Sequence, residues 1–132
     1  PPPTAQPPAP PGQPPPAPPQ LQALLPLAFD SIVALGIALL DADGRVLAWN
    51  AGAERISGYR AADVVGRHHS LLYPAEAIAA GRPQRDLEAA ADGGGAPVDG
   101  ERIRADGRRF WAETALSPMR DVGGALQGFA MV

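Results

Sequence analysis

Residues 36–58 read GIALLDADGRVLAWNAGAERISG, and this stretch decides the fold. Ile37, Ala38, Leu39 and Leu40 form a short apolar run of strand type. Asp41-Ala42-Asp43-Gly44 is a turn, with Gly44 able to take the positive φ that a hairpin connection needs. Residues 45–49 return as a second strand. Asn50 then stands where a helix N-cap belongs, its side-chain oxygen free to accept a backbone N–H two or three residues on. Ala53, not Glu or Gln, fills the third helical position, so the reciprocal capping partner is missing. Ala53 and Ile56 share one helix face, and Gly58 suits the left-handed residue that ends a helix.

Outward from this unit, composition sets limits. The chain has 132 residues, room for one domain with a real core. Twelve of its 17 prolines fall in the first twenty residues, an uncharged, low-complexity tract. It reads as a polyproline II spacer rising about 3.1 Å per residue rather than as a recognition motif. All 11 basic residues are arginine, and the net charge is -3, which argues against a nucleic-acid partner. The absence of cysteine excludes disulfides, thiolate nucleophiles and cysteine metal sites. No secretory leader is visible. The apolar stretch 21–40 is interrupted by Gln22, Pro26 and Asp30, too often for a membrane span.

In residues 21–35, Leu21, Leu24, Leu25, Ala28 and Ile32 recur at helical spacing, with Pro26 expected to kink or restart the helix. The apolar stripe must bury against the outer face of the domain's own sheet or the same helix of a second chain. Residues 60–66 read as a second short helix stopped by Gly66, residues 75–80 as a helical turn, and residues 84–92 as a firmer helix ended by three glycines. Residues 97–105 and 109–116 read as two strands joined at Asp106-Gly107. Phe110, Ala112, Thr114 and Leu116 share one face; Arg109, Trp111, Glu113 and Ala115 share the other. Residues 126–132 supply a last strand.

Order and motifs together resemble the PAS family of sensor domains. The matching residues are Asp41-x-Asp43-Gly44, Trp49-Asn50, Ala53-Glu54-Arg55-Ile56-x-Gly58-Tyr59 and Val65-Gly66-Arg67. Further on come Ala105-Asp106-Gly107-x-x-Phe110-Trp111, Ser117-Pro118-Met119-Arg120-Asp121, Gly124 and Gly128-Phe129. The resemblance implies an α+β PAS fold: a five-stranded antiparallel sheet with short helices over one face, enclosing a small pocket. It divides the chain into a proline-rich linker (1–20), an N-terminal flanking helix (21–35) and the sensor domain (36–132). Two departures stand out. Arg60 occupies the place of the Ser or Thr that usually caps the second helix. The chain also stops before the Asp-Ile/Leu-Thr ending that couples such domains to an output helix, as a fragment of a longer protein would.

The resemblance places the pocket candidates at Leu39, His69, Leu72, Leu87, Arg102, Ala112, Thr114, Leu116, Phe129 and Met131, with Trp111 facing outward. The family's flavin-binding light sensors carry a reactive cysteine where this chain has His69, and ring-holding asparagines where it has Arg102 and Ala112; the resemblance therefore argues against flavin. Haem sensors of one type take an axial ligand from the segment holding His68 and His69, and neutral imidazole is a competent ligand. A mostly apolar cavity with one guanidinium, Arg102, suits a small acid. The same side chains would also serve as plain core, and Arg102 would equally pair with Glu113 across the hairpin.

No nucleophile elbow, phosphate loop or zinc-protease motif is present, and adjacent histidines are poorly arranged for joint metal ligation. The resemblance thus implies a cytoplasmic, non-enzymatic sensory and dimerisation module of a bacterial signalling protein. Its homodimer would form through residues 21–35 and the outer sheet face, controlling a histidine kinase or transcriptional regulator domain beyond this sequence. The alternatives are a ligand-free dimerisation scaffold and a haem gas sensor.

Overall fold

The computed structural model describes residues 18–132; the spacer expected over residues 1–17 lies outside them. The central unit forms as its sequence dictates. Strands β1 (Ala38–Asp41) and β2 (Val46–Trp49) pair antiparallel. Asp41 closes the turn between them: its carbonyl accepts the Gly44 N–H, and its Oδ1 accepts the N–H groups of Asp43 and Arg45. Helix α2 (Ala51–Ser57) follows, capped by Asn50 Oδ1 accepting from Ala53 N at 2.8 Å and ended at Gly58, whose φ is +77°.

Asn50 does more than cap. It is fully buried, and its Oδ1 also accepts the Ile37 N–H at 2.8 Å. Its Nδ2 donates to the carbonyls of Phe29, Ile32 and Leu35 at 3.1, 2.8 and 3.2 Å. Arg55 donates from Nε to Val33 O at 3.0 Å. These bonds explain where the N-terminal helix stops. Helix α1 runs Pro19–Ser31, four residues short of the expected end, because the carbonyls of residues 32–35 are drawn away to side chains of α2 and its cap. Pro26 lies inside an unbroken α1, where a kink or restart was expected. No residue of α1 is buried, so its leucine stripe does not pack on this chain's own sheet.

Four short helical pieces then cross one face. Helix α3 (Ala61–Val64) has Arg60 at its N-cap with no side-chain cap of its own; the missing acceptor comes from α2, where Glu54 Oε2 takes the Ala61 N–H at 3.2 Å. A 3-10 turn (His69–Leu72), α4 (Ala75–Ala79) and α5 (Arg82–Gly93) complete the layer.

The remaining strands are β3 (Ala96–Pro97), β4 (Gly100–Ile103), β5 (Arg109–Ala112), β6 (Ala115–Arg120) and β7 (Leu126–Met131). They build a five-stranded antiparallel sheet in the order β2-β1-β7-β6-β3, from which β4 and β5 continue as a two-stranded ribbon. Residues 97–105 and 109–116, each read from sequence as one strand, are therefore split. The Val98 N–H still reaches Thr114 O at 2.8 Å, but the Thr114 N–H is taken by the Asp99 carboxylate at 3.0 Å. Val98 O is claimed by Arg102 Nη2 at 2.6 Å. Side chains thus occupy ladder positions, and the ladder parts there.

The core lies between the sheet's inner face and the helices. Ala38, Leu40, Val46, Leu87, Leu116 and Phe129 are buried in it, and the register pairs Leu40 with Phe129 and Leu116 with Met131. Gly52 shows how closely α2 meets the residues before β1: a Cβ there would lie 1.9 Å from Leu35 O.

Candidate functional site

A cavity of about 160 Å³ opens where the split hairpin leaves the sheet. One wall is the segment after α1, with Ala34, Leu35 and Gly36. A second is the paired start of β1 and end of β2, Ala38 and Trp49, with Ala53, Ile56 and Ser57 of α2 above them. The third is the parted strand: Phe110, Ala112, Glu113 and Thr114, with Met131 beside it. Leu72 and Arg102 close the inner end. The Trp49 indole is held by its Nε1–H donating to Tyr59 O at 3.1 Å. Ser57 is occupied with backbone, donating to Ala53 O at 2.6 Å and accepting the Tyr59 N–H.

Arg102 is 5% exposed. Its Nη1 donates to Glu101 O at 2.9 Å and its Nη2 to Val98 O, and the guanidinium sits 4.2 Å from the centroid of the Tyr73 ring. No carboxylate lies within ion-pair distance of it among the described residues. The surface pairing with Glu113 considered from sequence is therefore not formed; Arg102 faces inward opposite Phe110. Tyr73 is the hub of this corner. Its hydroxyl donates to Asp86 Oδ2 at 2.6 Å, and Asp86 Oδ1 accepts from Arg82 Nε at 2.9 Å. Burial first, then the bond to Asp86, push the Tyr73 hydroxyl above its ordinary pKa.

Arg102 also walls a second cavity of about 230 Å³, lined among others by Tyr73, Glu76, Arg82 and Glu101. Near it, Arg109 ion-pairs with Glu76 and, at 3.2 Å, with Glu101.

Of the pocket candidates read from sequence, Leu72, Arg102, Ala112, Thr114 and Met131 are brought together around the first cavity. Leu87, Leu116 and Phe129 are buried in the core instead. Leu39 lies on the opposite sheet face, paired with Ala48 and Ala130 while its neighbours Ala38 and Leu40 turn inward. Trp111, 67% exposed, also faces out. Sequence reasoning missed Trp49, Ile56 and Phe110 as lining residues. The Phe110/Ala112/Thr114 alternation already carried the signal for Phe110. Tyr73 and Asp86 had none, because their meeting is purely tertiary.

The two histidines take up different places. His68 is satisfied: Nε2 lies 3.0 Å from Asp43 O and Nδ1 accepts the Ser70 N–H at 3.2 Å. His69 is fully buried, edge-on to Tyr73 at 5.4 Å. Neither ring nitrogen has a hydrogen-bond partner among the described residues; the Pro83 backbone approaches the ring outside hydrogen-bond geometry. Desolvation first, and the neighbouring His68 second, lower its pKa to about 4. Neither histidine lines the two cavities.

Flavin and haem do not fit these residues. A cavity near 150 Å³ accommodates one benzene ring, not a fused tricycle or a macrocycle. His69 has no thiol to offer, Arg102 and Ala112 replace ring-holding amides, and the ring of His69 is enclosed by Gly44, Leu87 and Tyr73.

No helix among the described residues is long and apolar enough to cross a membrane. The family model described as "PAS fold" matches residues 29–132. Two-component system protein A of Emericella nidulans is 36% identical over 94 residues, 71% of this chain, and the chain spans 14% of that relative's length. The PAS domain of a Colwellia psychrerythraea protein superposes with a TM-score of 0.75 at 20% identity, covering 84% of this chain and 92% of that one. The PAS domain of a LuxR-family transcriptional regulator from Burkholderia thailandensis, in complex with ethanol, gives 0.66 at 21% identity, with 81% and 93% covered. An RNA-binding Light-Oxygen-Voltage receptor gives 0.66 at 27% identity, covering 97% of this chain and 35% of that one. With the parted sheet, the overlying short helices and the family match over most of its length, this chain belongs to the PAS family of sensor domains.

Proposed function

We propose that this domain is a non-enzymatic, cytoplasmic sensory module. It takes a small molecule into the 160 Å³ cavity and regulates an output domain, a histidine kinase or transcriptional regulator, outside this sequence. One observation carries the reading: a single cavity touches both the parted strand (Ala112, Thr114) and the segment that leaves α1 (Ala34, Leu35). An occupant in contact with both shifts the balance between two arrangements of sheet and helix, provided it binds them unequally. The two-component context of the Emericella relative and the ethanol bound to the Burkholderia PAS domain support the same direction.

The output is carried by dimerisation. Leu21, Leu24, Leu25 and Leu27 of α1 are exposed, as is Trp111 on the outer sheet face, and a second copy of the chain supplies the apolar cover they lack. Those exposed groups also favour a second reading, a ligand-free scaffold that only holds two chains together. Sedimentation velocity and native mass spectrometry separate the readings. The double substitution Leu24→Glu/Leu27→Glu, and Trp111→Glu alone, are expected to convert dimer to monomer; unchanged sedimentation in all variants refutes the interface. A small molecule retained in native spectra supports the sensor, whereas a cavity that takes up no single-ring compound at millimolar concentration leaves the scaffold.

A further inference from the structure

We propose that the cavity's ligand is an uncharged single-ring molecule carrying one hydroxyl, which pairs with the hydroxyl of Thr114. The inference rests on reading the cavity as a ligand site and adds the ligand's chemical class. It follows from how the polar groups of the wall are engaged. The Trp49 indole N–H goes to Tyr59 O. Ser57 Oγ donates to Ala53 O and accepts the Tyr59 N–H. Arg102 closes the cavity's inner end, but its guanidinium is held away from it. Nη1 and Nη2 donate to Glu101 O and Val98 O, the group lies over the Tyr73 ring, and a Cβ on Gly100 would meet Nη1 at 3.1 Å. Tyr73, Gly100 and Glu101 line the second cavity and not the first. The small acid expected from sequence therefore finds no cation here.

Glu113 is exposed, so its carboxylate stays in water. The remaining polar side chain of the wall is Thr114. Its N–H is taken by the Asp99 carboxylate and its carbonyl by the Val98 N–H, but its hydroxyl makes no hydrogen bond among the described residues. A hydroxyl both donates and accepts, so an alcohol or phenol pairs with it in either sense. An ion fares worse. The rest of the wall is mainly Ala, Leu, Ile, Trp and Phe side chains, against which a charged group sheds its water and meets no opposite charge. The volume of about 160 Å³ sets the size of the body near one six-membered ring.

The test titrates four compounds of similar shape into the purified chain at pH 7: benzyl alcohol, toluene, benzoate and benzylamine, the last a cation at that pH. Amide chemical shifts report binding. Benzyl alcohol is expected to bind with its largest shifts at Gly36, Ala112, Thr114 and Met131, and the two ions about tenfold or more weaker. Thr114→Val, which replaces the hydroxyl by a methyl, should weaken benzyl alcohol about fivefold, the size of one neutral hydrogen bond, and leave toluene unchanged. Thr114→Ser, which keeps the hydroxyl, should retain the alcohol's affinity relative to toluene. Should Thr114→Val fail to fold, the wild-type ranking of alcohol and ions and the Thr114→Ser ratio decide. Equal losses for alcohol and toluene in Thr114→Val, or a lowered ratio in Thr114→Ser, overturn the role of Thr114. Toluene binding without benzyl alcohol overturns the hydroxyl. Either ion binding as tightly as benzyl alcohol overturns the uncharged class and leaves the cavity reading standing. If none of the four binds, the cavity reading itself falls, and this assignment with it.

Discussion

His69 offers a direct measurement of what burial of an unsatisfied imidazole costs. In the folded chain its pKa is about 4 against an ordinary 6.5. The groups facing it are His68 and Arg102, which push the value down, and Asp86, which pushes it up; desolvation outweighs them all. A lowered pKa means that the unfolded chain binds the proton more readily. Between pH 6.5 and 4 the unfolded state therefore carries more protons than the native state, and stability rises with pH across that window. The contribution is fully present above pH 6.5 and is lost as pH falls through 4. At 1.36 kcal/mol per pH unit the full span is worth about 3 kcal/mol, of which about 2 kcal/mol is gone by pH 5.

The perturbation is His69→Leu, which keeps an apolar side chain beside Leu87 and Tyr73 and cannot take a proton. Urea unfolding at pH 8, 6.5, 5 and 4, followed by tryptophan fluorescence, gives both stability profiles. The wild type is expected to lose about 2 kcal/mol more than the variant between pH 8 and 5. At pH 8 the variant should match or exceed the wild type, since it removes two buried ring nitrogens without partners, groups that cost about 1–3 kcal/mol when left unmade. Parallel profiles would falsify the argument. So would a variant much less stable at pH 8, which would mean the imidazole makes bonds that the structure does not show.

Other substitutions test the joints. Asn50→Ala removes two acceptor bonds and three donor bonds at a fully buried site, and a loss of about 3–5 kcal/mol in urea unfolding is expected, with faster amide exchange at Ile37. Asn50→Asp keeps the acceptor but turns a carboxylate on three carbonyls, so it should be no better than Asn50→Ala; wild-type stability in Asn50→Asp would show that the amide donors matter little. Gly52→Ala drives a methyl against Leu35 O. It should cost about 2 kcal/mol or more and shift the amide resonances of Leu35 and Gly36, and a neutral result would mean that this segment yields freely.

How much of this was legible in the residues follows from the range of each interaction. The hairpin of β1 and β2, the Asn50 cap and the Gly58 stop are set within a few residues, so they are read directly from Asp41-x-Asp43-Gly44 and Trp49-Asn50. The end of α1 is not, because Asn50 and Arg55 reach back 15 to 22 residues for its carbonyls. The Arg60 departure looked like a missing cap; Glu54, on a different helix, replaces it. The resemblance puts Leu39 in the pocket, and the residues could not correct it, because in an apolar run without alternation hydrophobicity does not tell the two faces apart. The cavity's inner face was half legible: period-two spacing sets Ala112 and Thr114 on one face and the resemblance turns that face inward, whereas Trp49 and Ile56 arrive from other elements.

The parting of the hairpin explains why there is a cavity at all. A ladder continuous from β3 to β4 and from β6 to β5 would carry its inward residues straight across the sheet, where helices pack down on them. Asp99 instead bonds the Thr114 N–H through its side chain, and Arg102 draws Val98 O out of the ladder. The ribbon of β4 and β5 departs from the sheet at that point, and the space between Ala112 and Met131 is bounded by the segment after α1. Arg102, whose guanidinium holds Val98 O, is thus one of the groups that keep the ladder parted.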